Sequence, residues 1–191
     1  MRIYLLLGHP DGQSFCSGIA DAYEEAARAA GHEVRRHNLG EMRFDPVLRR
    51  GYNQIQTIEP DLGRAQEAIA WCEHWVLVYP IWWGSVPALL KGFFDRAMVP
   101  GFAFHYHDTD PMWDAMLKGR TGQVITTSDG PNIWTLVAYR NSDLGTVKNA
   151  TLQFCGINPV TALRMGGMRT STPEKRAKFL ERVRRSVPVA N

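Results

Sequence analysis

Chemistry in this chain is suggested first by the stretch from Val76 to Phe104, VLVYPIWWGSVPALLKGFFDRAMVPGFAF. A short apolar run breaks at Pro80, passes through Trp82, Trp83 and Gly84, and enters an amphipathic segment after Pro87. Neighbouring side chains in an extended chain diverge, so the two indoles cannot both enter one core. At least one is expected to face a crevice, where it would suit a flat aromatic ligand; the plain alternative is a pair of ordinary core aromatics. Gly84 permits close backbone approach. A second segment, GHPDGQSF from Gly8 to Phe15, opens a helix whose first amides, near Ser14 and Phe15, offer an anion site. His9 has two readings there, a donor to a phosphate oxygen or a ring bonded to its own loop, and Asp11 is placed to tie the loop's amides in a turn. The second glycine of a GxGxxG fingerprint is missing, which disfavours a dinucleotide site of that type. The third segment, TTSDGP from Thr126 to Pro131, supplies hydroxyls, a carboxylate and a turn glycine. Taken alone it reads equally as an ordinary turn.

The elements that must position these segments alternate in period. Ile3 to Leu7 reads as a buried strand, being apolar, too short for a helix and bounded by Gly8 and Pro10. Ser14 to Ala30 reads as a helix with Ile19, Tyr23, Ala26, Ala27 and Ala30 on one face and Gly31 as its stop. Glu33 to Asn38 is a polar strand near a sheet edge. Leu39 to Pro60 holds no period and reads as a surface excursion, after which Asp61 is expected to cap a short helix to Cys72. Trp75 to Tyr79 is the central strand, followed by a helix with Val86, Leu89, Leu90, Phe93, Phe94 and Ala97 on its stripe. Thr121 to Thr127 and Val160 to Leu163 complete five strands, and Thr172 with Pro173 starts the last helix. Parallel strands with right-handed helical crossovers leave few topologies. The simplest is a three-layer α/β sandwich around a five-stranded parallel sheet in the order 2-1-3-4-5. That order opens a crevice at the carboxyl ends of the first and third strands, where the three segments converge.

Composition narrows the classes. At 191 residues the chain can bury a full core as one domain, residues 1–191, without staples. No run approaches the roughly 20 apolar residues needed to cross a bilayer. MRIYLLLGHP lacks a small-residue cleavage site and fits a strand better than a signal peptide, so a cytoplasmic setting is expected. Three widely spaced cysteines, Cys16, Cys72 and Cys155, fit reduced thiols rather than a disulfide framework or a metal site. The net charge of +3 draws attention to Lys175, Arg176, Lys178, Arg182, Arg184 and Arg185. On a terminal helix with apolar partners these read as a solvated face, not a nucleic-acid surface.

The residues quoted above together resemble the flavodoxin-like NAD(P)H:quinone reductases, including DT-diaphorase and the ancillary reductase subunits of bacterial potassium-efflux systems. PIWWGSVPALLKGFFDRAMVPGFAF is similar to that family's flavin loop, following helix and start of its substrate loop. GHPDGQSF resembles its first phosphate loop, ITTSDG its third flavin loop, and TLQFCGI the approach to its last strand. The resemblance covers most of the chain. It implies that His9, Ser14, Phe15 and Cys16 contact the phosphate and ribityl chain. Pro80, Ile81, Trp82, Trp83 and Gly84 would hold the isoalloxazine edge, and Thr126, Thr127, Ser128 and Asp129 would complete the site. It further implies a homodimer with active sites at the interface, where Phe104 and Tyr106 would reach a partner's flavin and line its substrate pocket.

The chain departs from the pattern where larger members place a tyrosine and a histidine. Asn132-Ile133-Trp134 and Ala138-Tyr139-Arg140 stand there instead. Trp134 has no ionisable hydroxyl, and Arg140 is a permanent cation that cannot act as a general acid. Tyr139 is the nearest catalytic substitute, and Arg140 could still stabilise negative charge; the alternative is a helix-face tyrosine beside a surface arginine. FMN is the expected cofactor, with FAD possible, because the C-terminal extension of larger members is lacking. The implied reaction is hydride transfer from NAD(P)H to flavin, then two-electron reduction of a quinone-like acceptor in the same pocket. Two other classes compete. A flavin-binding regulatory subunit would associate with a membrane transporter, and an electron-carrier flavodoxin would be strongly acidic, unlike this slightly basic chain.

Overall fold

The computed structural model describes residues 1–54 and 56–189. Five strands, β1 (Arg2–Leu7), β2 (Glu33–Asn38), β3 (His74–Pro80), β6 (Thr121–Thr127) and β7 (Val160–Met165), form a parallel sheet in the order β2-β1-β3-β6-β7. This is the expected 2-1-3-4-5 arrangement. A short antiparallel pair, β4 (Phe104–Tyr106) with β5 (Trp113–Ala115), is inserted before β6 and was not foreshadowed by any alternation in the sequence.

Strand alternation divides the core between two faces. Ile3, Leu5 and Leu7 of β1, with Val76 and Val78 of β3, pack on helices α1 (Phe15–Ala29) and α6 (Pro173–Arg185) through Ile19, Tyr23, Ala27, Phe179 and Val183. Tyr4 and Leu6, with Trp75, Leu77 and Tyr79, pack on α2 (Pro60–Trp71) and α3 (Ala88–Ala97) through Leu62, Ile69, Leu90 and Phe93. Strands buried on both faces explain why their sequences read as continuous apolar runs. No described helix is long and apolar enough to cross a membrane.

Two helix starts follow their sequence signals. Ser14 caps α1, its Oγ accepting from the Ser17 amide at 3.3 Å, and Thr172 caps α6 with Pro173 in the first turn. The cap expected at Asp61 is displaced. Glu59 occupies the N-cap position with Pro60 behind it, so Asp61 falls in the first turn of α2, where its carboxylate accepts from the Arg43 amide and pairs with Arg64. Proline is favoured at the first helical position and shifts the boundary back by two residues. The excursion from 39 to 60 contains two single turns, Leu39–Glu41 and Gly51–Asn53, and its residue 55 lies outside the described residues.

Between β6 and β7 the chain forms α4 (Asn132–Val137), a reversal at Arg140 and Asn141, then α5 (Ser142–Leu144) running into a π-helical stretch, Gly145–Gln153. Arg140 and Asn141 both lie in the left-handed region, at φ of 50° and 53°.

Candidate active site

The register places the carboxyl ends of β1, β3, β6 and β7 side by side: Leu7 pairs with Val78, Pro80 with Thr127, and Thr127 with Met165. The chain leaves β1 toward β2 on one side and returns to β3 on the other, so the loops diverge between them and a cleft opens there. Two connected hollows fill it. The first, ≈ 180 Å³, is lined by His9, Ser14, Phe15, Cys16, Pro80, Ile81, Trp82 and Thr127 among others. The second, ≈ 320 Å³, continues from shared walls at Ile81, Trp82, Ser128 and Asp129 to Trp83, Gly84, Trp134 and Tyr139.

The first hollow has free donors at its helix end that could hold an anion. The amides of Phe15 and Cys16 open α1 and have no backbone acceptor within the helix, and no acidic residue sits in that first turn. Asp11 is turned to local use, accepting from the Gln13 amide at 2.8 Å, so its charge ties the loop. His9 is bonded to its own loop, and this leaves its other ring nitrogen free to donate. Its Nδ1 accepts from the Asp11 amide at 2.9 Å, and a backbone amide only donates, so the neutral ring carries its proton on Nε2. Burial lowers the pKa of His9 despite the opposing Asp11 contacts, which favours that neutral, Nε2-donating form. The ring meets Trp82 edge-on, with centroids 5.4 Å apart.

Cys16 points its Sγ at Thr127 Oγ1, 3.4 Å away, and burial pushes its thiol up to about 11. Cys72 rises likewise to about 11 and Cys155 to about 12, both through burial. Thiolate is the reactive form, so all three should resist alkylation. Iodoacetamide at about pH 8 is expected to leave the native protein unmodified by intact mass and to label every thiol once urea is added; fast labelling of the folded protein would contradict this burial.

In the second hollow, Trp82 and Ser85 exchange backbone hydrogen bonds at 3.0 and 2.9 Å around a two-residue turn. Trp83 and Gly84 at its tip both have positive φ, 52° and 71°, as a type I′ turn demands. Glycine adopts this conformation freely, whereas a tryptophan there is strained, and strain of this kind concentrates at functional sites. The Trp83 side chain is 100% exposed, so no core contact offsets the strain. The amides of Trp83 and Gly84 have no protein acceptor among the described residues. The sequence expectation that at least one indole faces the crevice is met by both.

The third segment closes the cleft. Ser128 donates from its amide to Met165 O and accepts at its own carbonyl from Met168, pinning the turn to the end of β7. Thr127, Ser128 and Asp129 line the cleft, but Thr126 does not. Successive strand residues face opposite ways, and Thr126 is buried on the other face, where its Oγ1 accepts from Arg164 Nε. Arg140 is exposed at the α4 reversal and does not line the cleft, while Trp134 and Tyr139 do. Phe104 and Tyr106 line a separate hollow with Phe94, Met98 and Phe154, away from the cleft in this chain.

Two participants escaped the sequence reading. Met168 lines the first hollow from the turn after β7. Arg164, one residue beyond the Val160 to Leu163 run, lies within β7 and forms a buried cluster with Asp143, Asn141 and Thr126 behind the second hollow. A charged residue at an inward-facing strand position beside Thr126 was the available signal.

The chain is similar to several known proteins in sequence and fold. An NAD(P)H oxidoreductase of uncharacterised role from Escherichia coli K12, YcaK, is 32% identical over 80% of this chain and 82% of its own. NAD(P)H dehydrogenase (quinone) 1 of Cavia porcellus is 26% identical over 94% of this chain and 73% of its own. The crystal structure of the NAD(P)H:quinone oxidoreductase from Methanothermobacter marburgensis superposes with a TM-score of 0.81 at 25% identity, covering 97% of this chain and 94% of that one. The family model for the flavodoxin-like fold, Flavodoxin_2, matches residues 1–187, and the chain belongs to that family.

Proposed function

We propose that the chain is a flavin-dependent NAD(P)H oxidoreductase that reduces quinones or related flat acceptors by two electrons. The observation that carries this reading is the meeting of three turns in one cleft, with an anion site at one end and an aromatic, amide-lined trough at the other. That polarity matches a phosphorylated ribityl chain followed by a planar ring. A single helix N-terminus as the anion site favours FMN over the larger FAD.

A bound flavin would supply hydride acceptance from reduced nicotinamide and delivery of two electrons to an acceptor. The chain's residues do the rest. The α1 amides and His9 Nε2–H would bind a phosphate end, with Cys16 and Thr127 walling that hollow. The Trp83 and Gly84 amides, without a protein acceptor among the described residues, would offer partial positive charge to an electron-rich ring. Trp82, Trp134 and Tyr139 exclude water and offer faces for a flat donor or acceptor, each in turn. Tyr139 carries the one ionisable hydroxyl among these walls and is assigned the proton-handling role.

The rim supports a dimer. Trp83, Trp134 and Tyr139 at the second hollow and Ile133, Leu136 and Val137 on α4 are all exposed apolar residues, a group of the kind that marks an interface. In such a homodimer Phe104 and Tyr106 would approach the partner's cleft, and Arg140 its bound substrate. Three buried, unpaired thiols accord with a reducing, cytoplasmic setting.

The test begins with apo protein titrated with FMN and FAD, followed by anaerobic mixing with NADH or NADPH and an acceptor panel. Stoichiometric binding of FMN, bleaching of its visible absorption by a donor, and return of colour with a quinone are expected. Bound flavin that neither NADH nor NADPH can bleach would sink the enzymatic reading.

A further inference from the structure

The aromatic end of the cleft is held from behind by a buried ionic cluster. Asp143 has no exposed surface, and both its oxygens accept from Arg164 Nη2, at 2.7 and 2.6 Å. The remaining donors of Arg164 reach forward. Nη1 donates to Asn141 Oδ1 at 2.7 Å and Nε to Thr126 Oγ1 at 3.2 Å. Replacing such a pair by apolar side chains is often neutral or stabilising, because desolvation consumes most of the Coulombic gain. Its value is therefore sought in geometry.

That geometry leads to the ring turn. Arg140 and Asn141 make a left-handed reversal, a conformation Asn tolerates and Arg does not favour, and the cluster holds Asn141 in it. The next residue, Ser142, donates its Oγ to the carbonyl of Gly84. Tyr139, just before the reversal, lies over the same glycine: a Cβ built on Gly84 would fall 3.1 Å from its ring. The reversal thus grips the Trp83–Gly84 turn by a hydrogen bond and by an aromatic face. The chain of contact is continuous from Arg164 on β7, through Asp143 and Asn141, to Ser142 and Tyr139, and on to Gly84.

We propose that Arg164, Asp143 and Ser142 are positioning residues that set the strained Trp83–Gly84 turn against the flavin ring and so tune both its binding and its reduction. This rests on the flavin reading above. None of the three touches the ring; they act through Gly84 and Tyr139.

The test uses full-length Ser142→Ala, Ser142→Thr and Asp143→Asn. Ser142 is exposed outside its hydroxyl contact, so its variants should fold even where Asp143→Asn leaves Arg164 unpaired and does not. Flavin dissociation constants come from fluorescence titration, and stopped-flow mixing separates hydride-transfer rate from donor affinity. Ser142→Ala is expected to weaken FMN about five-fold, the scale of one hydrogen bond, and to slow reduction at saturating donor without changing donor affinity. Ser142→Thr keeps the hydroxyl and should restore both. Asp143→Asn, where folded, should exceed both effects. A wild-type protein that binds no flavin overturns this proposal together with the functional reading. Flavin binding and reduction in Ser142→Ala equal to wild type, with or without a lower melting temperature, overturn the proposal alone.

Discussion

Gly40→Ala is expected to leave the apo protein folded and to cost it most of its flavin affinity. Gly40 follows β2, and a Cβ placed there would fall inside the van der Waals contact of the Pro10 carbonyl, with the Pro10 carbonyl carbon at 2.7 Å and Cα at 3.3 Å. Both obstacles are backbone, so no side chain can rotate away. One of two segments must move. Leu39, immediately before Gly40, is completely buried, whereas Pro10, Asp11 and Gly12 are exposed. The loop from His9 to Gly12 yields first. Its displacement breaks the His9 Nδ1 contact to the Asp11 amide and swings Nε2–H away from the α1 amides. Overpacking typically costs about 1–3 kcal/mol, which, expressed as lost ligand affinity, is about 5- to 150-fold. Isothermal titration of FMN against wild type and variant reads the effect, and thermal melts of the apo proteins control for folding. Unaltered FMN affinity with a large fall in melting temperature would show that the strain lands on the sheet, and that the loop is not the softer partner.

The same loop shows what the sequence disclosed. GHPDGQSF was readable as an anion loop because free amides at a helix start follow from chain direction alone, and Ser14 marked the start. What pressed on the loop from outside was not readable, since Gly40 lies in a different segment and touches Pro10 only in three dimensions. β1 and β3 are legible for a related reason: burial on both faces leaves unbroken apolar runs such as YLLL and WVLVY, whereas the edge strand β2 is the polar run EVRRHN. The β4–β5 pair left no such mark, its strands being three residues each and largely exposed. Thr126 was grouped with Thr127 by composition, although alternation within a strand already implied that only one of them could face the cleft. Asp61 was a plausible cap by residue type, and the proline before it was the stronger signal. The Arg164 cluster escaped because β6–β7 pairing brings Thr126 beside Arg164, and Asn141 and Asp143, from the connection between those strands, join them only through hydrogen bonds formed in three dimensions.

A second large effect is expected at Arg96, on the far side of the sheet's α3 layer. This guanidinium is 1% exposed and holds the excursion between β2 and α2 against α3. Nη2 donates to Thr57 O and Glu59 Oε2, both at 2.8 Å, and Nη1 donates to Asp45 O and to Glu59 Oε1. Arg96→Met keeps much of the stem's packing but leaves two carbonyls and a carboxylate without their donor. Breaking one side of a fully buried pair costs about 3–5 kcal/mol; here Arg96 is buried but the Glu59 side chain is 28% exposed, so the loss should fall below that range and still be plain in urea unfolding. The pH dependence identifies the cause. Burial raises the pKa of Glu59, yet the Asp45 amide and Arg96 together outweigh it, and the folded carboxyl sits below the usual glutamate value. A depressed folded pKa contributes stability that is complete above the unfolded pKa, roughly 4.3, and is lost as pH falls through the folded one. The wild-type advantage over Arg96→Met should therefore be widest near about pH 6 and shrink as pH falls below the unfolded glutamate value and through the lower folded one, where Glu59 takes up its proton. An advantage that stays constant across that range would assign the loss to packing around the stem and remove the ion pair from the account. α3 begins just after the Trp82–Ser85 turn, so a loosened excursion should also weaken FMN, and titration of FMN into Arg96→Met beside wild type will show by how much.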